Sequence, residues 1–161
     1  MKIGILSDTH GDVARTIRAA KLLRDAHVEA VIHCGDIGSQ RIIAELIEAF
    51  APESKIPVHA VLGNVDGDEL VGAGVDLRGR FADLQLGGKK IAVIHGDDGP
   101  LLRRTLFSQK YDYIFTGHTH VREDRRDGRT RLINPGAIYR APVPGCAVLD
   151  TETGALTYLD L

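Results

Sequence analysis

Between residues 3 and 64 the chain alternates short apolar runs with amphipathic segments, and each run stops at a glycine or at an Asp-x-His triplet. The runs are Ile3–Leu6, Ala30–Cys34 and Val58–Leu62. Between them lie two stretches with helical spacing, Val13–Asp25 and Arg41–Phe50. Asp12 and Ser39 stand where helix caps belong, and Pro52 follows the second stretch. A β-α-β-α-β rhythm calls for parallel strands joined by right-handed crossovers. In such sheets ligands gather beyond the carboxyl ends of the strands.

The rhythm breaks after residue 64. Residues 65–80 are glycine-rich and aperiodic, and they read as a loop with one short helix. Phe81–Leu86 and Lys89–His95 pair around Gly87-Gly88, and Pro100 opens a helix over Leu101–Ser108. Tyr113–Thr116 is a further strand. A hairpin spans Val121–Asn134 with its turn at Asp127-Gly128, and Ala147–Asp150 pairs with Ala155–Asp160. A βα-rich first half and a strand-rich second half predict two sheets packed together with helices outside. At 161 residues the chain has the size of one domain, 1–161.

Five strand ends carry groups that can bind a cation: Asp8-x-His10, Gly35-Asp36, Gly63-Asn64, His95-Gly96 and Gly117-His118-Thr119-His120. Glycine there lets the backbone turn sharply and leaves room for an ion or a phosphate. Four of the seven histidines fall at these points, which core packing does not explain. Two carboxylates, one amide and four imidazoles suit a divalent ion such as Mn²⁺, Fe²⁺ or Zn²⁺. Seven groups exceed what one ion with open positions takes; they suit two ions about 3.5–4 Å apart.

With these motifs in this order, the chain resembles the calcineurin-like metallophosphoesterase family, in particular its small bacterial and archaeal phosphodiesterases. The likeness runs from Asp8 to the Asn134-Pro135-Gly136 turn. It implies an α/β/β/α sandwich of two mixed sheets flanked by helices, with a dinuclear centre. Carried over by position, Asp8, His10 and His120 would hold one metal and Asn64, His95 and His118 the other, with Asp36 bridging. Mn²⁺ is the first expectation, with Fe²⁺, Zn²⁺, Ni²⁺ or Co²⁺ as alternatives. Two such ions lower the pKa of a shared water from ~15.7 toward 7, and the hydroxide attacks phosphorus in line with the leaving oxygen. Asp36, Asn64, His95 and His118 would carry that chemistry.

Two positions depart from the family pattern. Many members read Gly-Asn-His-Asp where this chain has Gly63-Asn64-Val65-Asp66, and that histidine is linked to leaving-group protonation or transition-state charge. The small phosphodiesterases often carry cysteine there. Valine donates no proton, so good leaving groups are favoured. Asp97 stands where relatives often have a second histidine; it is read either as a weak acid that orients water or as a repeller of polyanions. Arg122, next to the last metal motif, and Arg140, after the Asn134-Pro135-Gly136 turn, are candidates for clamping a phosphate bidentately.

Other residues invite plainer readings. His33 should point opposite to Cys34 and serve structure, as should His27 and His59, and Cys34 reads as a buried apolar residue. The arginines of the 121–134 hairpin interleave with acids, as on a solvated face. A net charge of −2 gives no pull toward nucleic acid or anionic membrane. Two cysteines form no disulfide framework, no apolar run reaches the ~20 residues that span a bilayer, and Lys2 alone precedes the first strand. The expectation is a cytoplasmic enzyme acting on a small phosphoester, without membrane or nucleic-acid partners and with a homo-oligomer allowed. A phosphomonoesterase, or a metal-retaining protein-binding scaffold such as the retromer member of this fold, is the alternative.

Overall fold

The computed structural model describes residues 1–50, 55–67, 70 and 76–161. The first sheet begins with β1 (Lys2–Leu6), which is followed by helix α1 (Val13–Asp25), β2 (Ala30–His33), helix α2 (Gln40–Phe50), β3 (Val58–Ala60) and β4 (Asp76–Leu77). The second is built from β5 (Phe81–Leu86), β6 (Lys89–Ile94), helix α3 (Gly99–Phe107), β7 (Tyr113–Phe115), β8 (Arg122–Asp127) and β9 (Thr130–Pro135). The chain then returns to the first sheet as β10 (Gly145–Asp150) and β11 (Leu156–Asp160). Strand order is β11-β10-β1-β2-β3-β4 in one sheet and β5-β6-β7-β9-β8 in the other. Within the first sheet β1, β2, β3 and β4 run parallel; within the second, β6, β7 and β9 do.

Strand alternation sorts the side chains into layers. Ile3, Ile5, Ile32, Cys34 and Val61 meet Leu84, Ile91, Val93, Tyr113, Phe115 and Ile133 between the sheets. The opposite face of the first sheet, with Leu6 and Val31, packs against α1 and α2 through Ala19, Leu23, Ile43 and Leu46. There α1 comes so close that a Cβ on Gly4 would stand 3.0 Å from Leu23 Cδ2. On the far side of the second sheet, Ala92, Ile94 and Ile114 pack with Leu106 of α3. This is the α/β/β/α order of the expected sandwich. Truncating a fully buried inter-sheet residue such as Ile32 to alanine costs ~2–5 kcal/mol.

Caps explain two of the helix starts. Asp12 accepts from Arg15 N, and Asp98 accepts from Leu101 N just before Pro100 in the first turn of α3. The third strand is shorter than predicted. It stops at Ala60, and Leu62 N instead donates to Gly79 O, releasing the chain to form the Gly63-Asn64 turn. A short helix is expected somewhere within 65–80, and residues 68, 69 and 71–75 of that stretch lie outside the described residues. What is described is a strand, β4, clipped to β3 by a His59–Asp76 contact of 2.7 Å.

Candidate metal centre

The five motif loops leave the carboxyl ends of β1, β2, β3, β6 and β7, and they open on one edge of the sandwich. Hydrogen bonds between main chains join them: Asp8 N to Gly35 O, His10 N to Asp36 O, and Gly117 N to His95 O. Five of the seven candidate ligands hold left-handed backbone: Asp8 (φ 54°), His10 (44°), Asp36 (54°), His118 (68°) and His120 (59°). A non-glycine residue there costs on the order of 1–3 kcal/mol, and such strain collects where geometry serves function. The neighbouring glycines answer a different need. A Cβ on Gly63 would collide with the Asp36 carboxylate, and one on Gly117 with Ser7 Oγ and Asp8 Oδ2.

All seven candidates converge. Asp8 Oδ1 stands 3.2 Å from His120 Nε2 and 3.9 Å from His10 Nε2, and the two imidazole nitrogens face each other at 3.4 Å. Asp36 points one oxygen to each side, with Oδ2 3.6 Å from His10 Nε2 and Oδ1 3.3 Å from His95 Nε2. Asn64 Oδ1 lies 3.2 Å from His95 Nε2 and 3.1 Å from His118 Nδ1. The donor atoms of Asp8, His10 and His120 fall within 4.8 Å of one another, as do those of Asp8, Asp36 and His95.

The donor chemistry fits cations. Asp8 is fully buried and its Oδ1 has no hydrogen-bond partner. An unpaired buried acceptor costs ~1–3 kcal/mol, and more when charged, unless something positive faces it. His95 Nδ1 donates to the Cys34 carbonyl at 2.9 Å, which fixes the tautomer and leaves Nε2 to face the site. His120 Nδ1 likewise faces the Arg140 carbonyl at 3.5 Å. Burial works against ionising Asp36, but the hydrogen bond to His95 and the Val65 amide outweigh it and hold the carboxyl below its ordinary range. Burial also pushes against a proton on His95, yet Asp36 and the Cys34 carbonyl carry its pKa above the ordinary value. The position favours positive charge.

Residues 1–154 match the family model of the calcineurin-like phosphoesterase superfamily domain. The chain belongs to that superfamily. Among its relatives is a phosphodiesterase of Methanocaldococcus jannaschii, 33% identical over 161 residues, with 94% of each chain covered. A solved archaeal phosphodiesterase superposes with a TM-score of 0.88 at 31% identity, over 100% of both chains. An Escherichia coli phosphoesterase shares the fold at a TM-score of 0.73 and 19% identity, over 99% of both.

The remaining candidates of this superfamily member separate. Arg140 has left-handed backbone (φ 49°), and its guanidinium lies 4.9 Å from the Tyr139 ring, which sits 5.6 Å from the His10 ring. That places it at the rim of the centre. Arg122 turns to the β11 edge, donating to Asp160 at 2.6 Å and stacking 4.9 Å from Tyr158, so the structure does not bring it to the ligands. Asp97 is ion-paired with Arg80 at 3.1 Å, which offsets the charge that would repel polyanions. His33 lies opposite the inter-sheet Cys34. It meets Thr9 Oγ1 at 3.0 Å and accepts from Gly35 N, joining two ligand loops.

Sequence reasoning missed three supporting residues. Asn134 is buried, donates to Gly117 O and Thr119 Oγ1, and accepts from Gly136 N, bracing the loop that bears His118 and His120. Tyr139 ties its amide to Asp8 O. Asp66 accepts from three backbone amides. Each lies within a few residues of a motif, and their polar type so close to buried strand ends was the available signal.

Proposed function

We propose that this chain is a phosphodiesterase that uses two divalent metal ions to hydrolyse small phosphoesters. The observation that carries the reading is the convergence of seven ligand-type side chains at one set of strand ends, among them a fully buried Asp8 whose Oδ1 accepts no hydrogen bond. Asp8, His10 and His120 would hold one ion, and Asn64, His95 and His118 the other. Asp36, with one oxygen toward each group, would be shared. Ions so held supply a water acidic enough to deprotonate near neutral pH and offset negative charge on the phosphoryl oxygens. Mn²⁺ suits the mixed carboxylate, amide and imidazole set.

The chain's own groups do the rest. His95 and His118 flank Asn64 and fix it. Arg140 at the rim would bind a phosphoryl oxygen from outside. Val65 is half-exposed where many relatives carry histidine, and its side chain has no proton to give. The departing alkoxide must therefore be stable by itself, which favours diesters with good leaving groups. The archaeal relative's activity as a phosphodiesterase supports the same choice. The proposed setting is the cytoplasm.

The test is hydrolysis of a bis-aryl phosphodiester and the matching aryl monoester by chelator-stripped protein before and after addition of Mn²⁺. Metal-restored turnover, faster on the diester, is the expected result. Faster monoester turnover would make the protein a phosphomonoesterase. Bound metal with no turnover of either ester would favour a protein-binding scaffold.

A further inference from the structure

Asp66 lies two residues beyond Asn64 and is almost fully buried, yet its carboxylate takes part in neither donor cluster. Its hydrogen bonds run to main chain. Oδ2 accepts from Ile37 N at 3.0 Å and Gly63 N at 2.9 Å, and Oδ1 accepts from Gly38 N at 2.8 Å. The exchange is reciprocal, because Asp36 Oδ1 accepts from Val65 N at 3.1 Å. Each of the two loops thus sends a carboxylate to the backbone amides of the other. The Asp36 loop in turn holds the first ligand loop, through His10 N to Asp36 O and Gly11 N to Ile37 O.

The Asp8 side of the centre has further braces besides its bonds to the Asp36 loop. Beyond the bond from Asp8 N to Gly35 O, Tyr139 N donates to Asp8 O, and His118 N donates to Asp8 Oδ2. None of these bonds passes through Asp66. The Asn64 turn, by contrast, is held to its neighbour by the Asp66 carboxylate and the Val65–Asp36 bond.

We propose that Asp66 is a positioning residue that sets the separation of the Asp36 and Asn64 loops, and thereby the affinity for the cation on the Asn64–His95–His118 side. The inference rests on the two-ion reading above. In Asp66→Asn the side chain keeps its size and one acceptor oxygen. The other oxygen becomes an amide donor that meets backbone N–H groups head on. Changes to groups that orient metal ligands usually cost about 10–100-fold in affinity.

The experiment is a calorimetric Mn²⁺ titration of the stripped, full-length protein, with electron paramagnetic resonance of each titration point. Wild type should take up two ions and develop the spin-coupled signal of a manganese pair. Asp66→Asn should bind the first ion within about threefold of wild type and the second about 10–100-fold more weakly, leaving the six-line signal of isolated Mn²⁺ at two equivalents. A purely structural role would lower thermal stability and leave both affinities unchanged, or weaken both alike; either result overturns the inference. If circular dichroism shows that Asp66→Asn does not fold, the same titration on Asp66→Glu, which retains the charge but displaces the oxygens, decides. Selective loss of the second ion supports the inference, and two intact affinities or equal losses refute it. A wild-type protein that binds one ion or none defeats the two-ion reading and the inference with it. Two ions in wild type with an unaffected variant defeats the inference alone.

Discussion

The β8–β9 hairpin and the strand-end cluster are both dense in ionisable side chains, yet they dispose of them in opposite ways. In the hairpin, charges find each other: Arg125 pairs with Glu123, Arg131 with Asp124, and Arg129 reaches Asp112. In the cluster the pairing is incomplete: His95 meets Asp36, but His10 and His120 face nitrogen to nitrogen and a buried Asp8 oxygen accepts no hydrogen bond. The hairpin backbone follows an ordinary antiparallel ladder, whereas the cluster holds Asp and His residues in left-handed conformations. Charge density therefore does not mark the site. Unsatisfied convergence, held in place at a conformational cost, does.

If that contrast is right, substitutions in the two regions should differ by orders of magnitude. Asp36→Ala removes the carboxylate shared by both groups, and turnover should fall by about 10³-fold or more, while circular dichroism stays that of wild type. Full activity in the folded variant would break the two-ion assignment.

The next effect is on stability. Burial pushes the pKa of His33 down to about 4, while the unfolded chain's histidine titrates near 6.5. The folded protein thus refuses a proton that the unfolded chain accepts. Stability from this group is present above pH 6.5 and is lost as pH falls through 4, by up to about 3 kcal/mol. Urea denaturation at pH 7.5 and 4.5 should show a steeper acid loss in wild type than in His33→Gln. Equal losses would remove His33 from the brace between the first two ligand loops.

A smaller and more selective change is expected at the rim. Val65→His should raise turnover of esters with poor leaving groups by about tenfold or more and that of good ones by less, because general-acid help matters most when the leaving group is basic. A uniform change across a series of aryl and alkyl diesters would argue against a missing acid. The smallest effect belongs to the hairpin. Arg129→Ala breaks an exposed ion pair worth ~0–1 kcal/mol, and both the melting temperature and turnover should barely move. A large loss of activity there would erase the contrast between the regions.

The ligands were legible in the sequence because five of the seven stand beside a glycine, all lie at the ends of apolar runs, and parallel strands bring such ends together. The helix cap Asp12, the first-turn Pro100 of α3 and the opposed faces of His33 and Cys34 followed from equally local rules. What was not legible acts over distance. Asp66 and Asn134 also bond backbone amides and carbonyls of other loops, and their polar type beside buried strand ends marks them without naming those partners. Arg122 is nearer than Arg140 to His120 in the chain, but strand pairing carries it to Tyr158 and Asp160 while the turn after β9 brings Arg140 back to the centre. The two-residue β4 has too little pattern to read; its register comes from Asp76 meeting His59.

The central claim is that the convergent cluster is one centre that works only with two ions. The direct measurement is the rate of bis-aryl phosphodiester hydrolysis as Mn²⁺ is added stepwise to stripped protein at concentrations well above the binding constants. The account predicts little turnover up to the first equivalent and a rise that completes at the second. A rate that saturates at one equivalent, or that is unchanged by stripping and re-addition, would contradict it.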